Sequence, residues 1–410
     1  MASSHHLTAW QRVWRPFWSV PLAIGGLAIA AGIVLPLLDR GLSEHVPYLF
    51  QGGSDSARGL LSTIATAMIS VTGLVFSITM VVLQLASSQF TPRILGDFLA
   101  QRTTQVTLGV FIASFVFSLT VLRSVRGGGD IDSFVPQLSV TTAFLLVIAS
   151  MGCFIAFIHH ITVSIQVSNV ISGIGDRAVA LADDLYPAGA PEPGGTWSPE
   201  VGTPSVPVSS GGHHGVVTEI DVEHLADLAR ELGVVVVAEV GVGDFLTEHM
   251  PLATAWGADV LDDAAVGRVR DGFLLETERT MRQDLAFGIR QLVDIAERAL
   301  SPGINDPTTA VQAVDELHRI LRLLVTRRTH TRYVRDADGR VRLVVRPQVV
   351  GDLVDLATEE IVHYGRESLQ VPRRLAAMAD DLLSVSLPDH RAALERLRDA
   401  VATPSADAGR

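Results

Sequence analysis

The sequence has 410 residues, 48% of them hydrophobic and only 19% charged, with a formal net charge of −12. The charged fraction lies below the ~25% of an ordinary soluble domain, and the apolar excess sits in the first 165 residues, which predicts membrane spans followed by a water-soluble part. The acidic balance argues against a nucleic-acid partner; the single cysteine, Cys153, excludes an intrachain disulfide framework; and the absence of lysine excludes Schiff-base, P-loop-lysine and lipoyl- or biotinyl-carrier chemistry.

Four apolar runs open the chain, at residues 17–38, 60–86, 106–122 and 138–158. Each is about long enough to cross a ~30 Å hydrocarbon core, the third only just. Cys153 is the one ionisable side chain in them. The first run follows Arg12 and Arg15 and ends near a small-residue stretch, as a signal peptide would, but its length favours an uncleaved span. Trp10, Trp14 and Trp18 before it fit an interfacial anchor. Arginines tie across the loops. The long untranslocated tail therefore decides the expected orientation, with both termini in the cytoplasm of a bacterial inner membrane.

The second span carries a pattern. Ser62, Thr66, Ser70, Gly73, Ser77, Gln84 and Ser88 recur at steps of three, four or seven, one helical stripe of small or polar residues. Two readings are open. Small residues let helices approach closely in lipid, or copies of the stripe line a pore or wet cavity. Gln84 discriminates, because an amide in the membrane needs partners. Beyond it, residues 92–102 suit an interfacial helix capped by Thr91.

After the fourth span, residues 159–184 predict a helix leaving the membrane, and residues 186–204 a Pro/Gly-rich linker. Strands follow around residues 205–210 and 214–220. A short helix capped by Asp221 comes next, then two strands about the turn "GVGDFLTEH". That turn resembles the one in lipoyl-type barrels, without their lysine. From about Asp259 the reading is mainly helical. Met281, Leu285, Ile289, Leu292 and Ile295 form one stripe, and a hairpin turns at Asp338-Gly339. Two or three amphipathic helices, divided at Pro372 and Pro388, end the chain. The expected organisation is a four-span unit over residues 1–165, a connecting helix, linker and small β-rich subdomain over 166–258, and a mainly helical subdomain over 259–410. The fold class is thus membrane α-helical with a soluble α+β domain.

"RALSPGINDPTTA" reads as a rigid corner between two helices. Pro302 disfavours helix at Ser301, Gly303 frees a left-handed turn, Asp306 caps the next helix and Pro307 takes its first turn. Asn305 and Asp306 are placed to meet a partner subunit or ion. No nucleophile–base pair lies beside the corner. Asp284, Asp294, Glu297 and Asp306 are candidate acids, yet Asp294 and Glu297 alternate with Arg290 and Arg298 as a solvated helix face would. The histidines at 159, 160, 213, 214, 224 and 249 show no metal-ligand spacing. No catalytic, cofactor-binding or metal-binding residues are therefore assigned, and no cofactor is implied.

The segments "LLSTIATAMISVTGLVFSITMVVLQLASSQFTPRIL", "RTMRQDLAFGIRQLVDIAERALSPGINDPTTA" and "GDFLTEHMPLATAW" resemble a bacterial family described only as predicted membrane proteins with a domain of unknown function. The likeness runs over nearly the whole chain. Thr308 departs from it, where an aromatic is expected. The resemblance implies four spans and a cytoplasmic domain, and no activity. Two functions are left open: a homo-oligomeric channel or transport protein, and a membrane-anchored sensor or scaffold whose soluble part binds a ligand or partner protein. The expected partners are the bilayer and further copies of the chain.

Overall fold

Four long apolar helices come first in the computed structural model, which describes residues 18–42, 50–89, 102–127, 134–164, 166–189, 197–328, 332–346 and 348–403. They are α1 (Ser19–Leu42), α2 (Ser54–Gln89), α3 (Arg102–Leu122) and α4 (Gln137–Ser164). All four are long and apolar enough to span a bilayer. The chain forms two units, one within residues 5–166 and one within residues 167–410. The helix expected at residues 92–102, Trp10, Trp14 and much of the Pro/Gly-rich linker lie outside the described residues.

The shortest span is the innermost. More than half of the apolar window of α3 is buried, 56%, against 17–28% for the other three. Glycines set the approach of α1 to α3. A Cβ on Gly109 would meet Ile24 Cδ1 at 2.6 Å, and one on Gly32 would meet Thr120 Cβ at 2.9 Å, so the small side permits the contact. Hydroxyls join α3 to α4, with Ser114 Oγ 2.8 Å from Ser150 Oγ. Asp39, near the end of α1 and buried, accepts from Leu138 N at 2.9 Å, Ser139 N at 3.1 Å and Ser139 Oγ at 3.1 Å. One helix thus satisfies the free N–H groups that open another.

The single helix expected after the fourth span is two. α4 ends at Ser164 and α5 runs Val167–Leu185. Then come β1 (Ser205–Ser209), β2 (Gly215–Ile220), α6 (Val222–Leu232), β3 (Val235–Ala238), β4 (Phe245–Leu246), β5 (Pro251–Trp256), α7 (Asp263–Asp271) and β6 (Phe273–Glu276). Asp221 caps α6 as expected, accepting from His224 N at 2.9 Å, and Gly233 closes it at φ 70°. β6 was not legible as a strand. It is short, and its role is fixed by pairing with β2, sixty residues distant in sequence.

The helical half holds α8 (Leu285–Leu300), α9 (Pro307–Leu324), α10 (Val350–Gly365), α11 (Val371–Val385) and α12 (Arg391–Ala402). Between α9 and α10 the hairpin β7 (Arg332–Arg335) and β8 (Val341–Val345) turns at Gly339, φ 78°. Its strands do not stand apart. One sheet runs β1-β5-β3-β8-β7, the other β4-β2-β6. β3 and β8 pair parallel, Val236 opposite Leu343, while every other pairing is antiparallel. α8 is the central helix, packed by α5, α9 and α10, with Leu285, Ile289, Leu292, Val293 and Ala296 fully buried. It starts after Met281 because Asp284 caps it, accepting from Phe287 N at 3.0 Å.

Candidate functional site

The stripe on α2 faces away from its own bundle. Ala57, Leu61, Ile64, Met68, Val75 and Val82 form the buried face of this helix. Ser62, Thr66, Ser70, Gly73, Ser77 and Gln84 are all exposed, and no atom of the described residues lies within 4 Å of a Cβ placed on Gly73. At about 100° per residue the stripe is centred roughly opposite the buried face. Close packing of the stripe against another span of the same chain is therefore not what the structure contains. Ser88 lies in the last turns of α2, and its side chain is outside the described residues.

The stripe's hydroxyls are partly self-satisfied. Thr66 Oγ1 donates to Ser62 O and Ser70 Oγ to Thr66 O, both at 2.9 Å, the back-bonding common for Ser and Thr in helices. The side chain of Gln84, at the end of the apolar stretch of α2, has no hydrogen bond to another described residue. The outward faces of α1 and α4 differ in kind. They show Leu22, Leu27 and Ile33, and Phe144, Leu145 and Ile155, the large apolar surface that lipid tails accept.

The corner between α8 and α9 keeps its expected frame with one change. Ser301 is extended, at φ −62° and ψ 147°. Asp306 accepts from Thr309 N at 3.1 Å and Thr309 Oγ1 at 2.6 Å, and Pro307 occupies the first turn of α9. The left-handed residue is Asn305, φ 51°, and not Gly303. Asparagine tolerates that conformation because its short polar side chain suits it. Pro302, Gly303 and Asn305 are exposed. The Thr309 hydroxyl, then its N–H, hold the Asp306 carboxyl below its ordinary range. Asp306→Ala is expected to destabilise the soluble unit by about 1 kcal/mol at neutral pH. The loss shrinks as pH falls through the lowered pKa, since the stabilising form is the anion. Urea denaturation at several pH values measures it.

The solvated face expected on α8 is instead half covered. Arg290 Nε reaches Asp294 at 2.7 Å and its Nη2 reaches Glu297 at 3.2 Å, while its Nη1 contacts Glu360 of α10. Asp294 is only 6% exposed. Arg290, Glu297 and Glu360 border a cavity of about 910 Å³ between α8, α10 and α12. A second cluster sits at the start of α8. Asp284 is 1% exposed, and Arg279 donates to it at 2.8 and 3.0 Å. Gln348 donates to Asp284 at 3.0 Å and to Val242 O at 3.3 Å, and accepts from Ala286 N at 3.1 Å. Both carboxylate oxygens of Asp284 and both side-chain polar atoms of Gln348 have local structural partners. Glu360 and Gln348 escape a sequence reading, because nothing in their own neighbourhood points to partners some 60 residues earlier.

Four membrane-length helices and a soluble unit of helices and small mixed sheets define a multi-pass membrane protein. The chain belongs to the family described as "Predicted membrane protein (DUF2254)", whose model matches residues 14–381. It is similar to "Uncharacterized protein Rv1290c" of Mycobacterium tuberculosis and "Uncharacterized protein Mb1321c" of Mycobacterium bovis. Each is 32% identical over 393 residues, covering 92% of this chain and 74% of the relative. No solved structure matches.

Proposed function

We propose that the chain is a homo-oligomeric channel or transport protein of the bacterial inner membrane, with its C-terminal unit in the cytoplasm as an assembly or gating module. One observation carries the reading: the outward face of α2 is small and hydroxylated where those of α1 and α4 are large and apolar. Such a face is poorly suited to lipid tails and well suited to a second copy or a wet axis. Large apolar residues border it, with Ile69, Phe76 and Met80 on one side and Leu74 and Val81 on the other, Met80 reaching the edge of the stripe itself.

Protein reconstituted in planar bilayers should conduct, and Gln84→Leu should change the unit conductance severalfold at unchanged oligomer size. Silent bilayers from folded, oligomeric protein would sink the reading. The second reading, a membrane-anchored sensor or scaffold, draws on the exposed corner. Ile304 there and Leu369 between α10 and α11 are 47% and 78% exposed. A pull-down with the full-length protein that loses its partner on Ile304→Asp would favour it.

A further inference from the structure

We propose that Glu297 and Glu360 form a proton-operated latch between α8 and α10. With one proton held between them the two helices stay closed over the cavity. With both carboxylates ionised they repel, and α10 loosens from α8.

The geometry sets up the conflict. One guanidinium, Arg290, serves three carboxylates, those of Asp294, Glu297 and Glu360. Asp294 is the most buried of the three and is held by Nε at 2.7 Å. Two carboxylates on different helices then share what remains of one positive charge. Like charges at such a site favour holding a proton over full ionisation. The other basic groups at the cavity are His363 of α10, Arg366 just past its end and Arg396 of α12, the last paired with Asp355 at 2.6 Å. Glu359 adds a further acid on α10. Charges on the other helices against α8 include two pairs engaged away from it. Arg319 of α9 meets Asp176 of α5 at 2.6 Å, and His318 of α9 meets Asp381 of α11 at 2.8 Å.

Burial first, then the hydrogen bond and charge of Glu360, push the Glu297 carboxyl up from 4.5 to about 7, against the pull of Arg290. Its folded-state value is raised, so the closed form is favoured at low pH. That contribution is complete below about 4.5 and is lost as pH rises through about 7. The cavity opens to solvent beside the pair, so protons reach it without unfolding.

The test is hydrogen exchange by mass spectrometry on the full-length protein in detergent, corrected for intrinsic rates. In wild-type protein, protection of α10 should fall by about tenfold between about pH 5.5 and about pH 8, a shift discounted for the partial exposure of Glu360. Glu297→Gln and Glu360→Gln should each keep α10 protected across that range, with α6 unaffected. A flat wild-type profile, or variants that retain the wild-type pH dependence, would overturn the latch. Should Glu297→Gln fail to fold, the infrared carboxylic-acid band provides a second reading. It should be present in wild type below neutral pH, vanish above it, and be missing from Glu360→Gln; a band that Glu360→Gln leaves untouched would overturn the latch equally.

Discussion

Asp284→Ala is expected to lower the stability of the soluble unit by about 3–5 kcal/mol, the usual cost of removing one partner of a buried ion pair. The carboxylate does three things at once. It pairs with Arg279, caps α8 through Phe287 N, and receives the Gln348 amide. Alanine leaves the half-buried guanidinium and the amide without an acceptor and frays the first turn of the central helix. For a unit of this size the unfolding midpoint should drop by roughly 6–20 °C. Asp284→Asn keeps an acceptor for the cap and should recover at least about 1 kcal/mol. Thermal unfolding of full-length protein in detergent, followed by circular dichroism, supplies the numbers. A midpoint within a degree of wild type would show that the cluster adds nothing.

Asp39→Ala should have a comparable effect on the membrane unit, about 3 kcal/mol. Its carboxylate satisfies two backbone N–H groups and one hydroxyl at the start of α4. The Ser139 donors are buried and the Leu138 N–H is partly so, and the apolar surroundings offer few replacement acceptors. Cys153 offers a selective readout. It is the sole cysteine of the chain, half-buried in α4, where it packs near Val75, Phe111 and Phe157. A thiol-reactive fluorogenic dye therefore reports the melting of these helices and not of the sheets. Asp39→Ala should bring the dye transition forward by several degrees, with Asp39→Asn between it and wild type. Asp284→Ala should leave that transition in place. A dye transition that moves with Asp284 and ignores Asp39 would contradict both assignments.

The spans were readable because composition alone marks a segment that hydrocarbon must surround. The α2 stripe was readable as a set of positions, since helical spacing fixes which residues share a face. Its direction was not, because the face a helix buries depends on neighbours that periodicity does not name. At the corner, the capping by Asp306 and the placing of Pro307 followed from local backbone chemistry. The assignment of the left-handed residue to Gly303 did not hold, because glycine permits that conformation without requiring it and Asn305 adopts it. Arg290 with Asp294 was correctly an i,i+4 pair. Its reading as a solvated face failed because α10 covers it through Glu360, 70 residues further on. Asp284 was legible only as one candidate acid among four, because Gln348, which helps enclose it, is remote in sequence.

The parallel pairing of β3 with β8 has a consequence for biosynthesis. Val236 leaves the ribosome roughly a hundred residues before Leu343, an interval of about 5–20 s at ordinary translation rates. Until then one border of the nascent sheet is uncovered, ready to recruit any extended chain nearby. A nascent polypeptide stalled between these strands should be the species that chaperones capture, and a premature stop in that interval should yield aggregates in place of a smaller folded fragment.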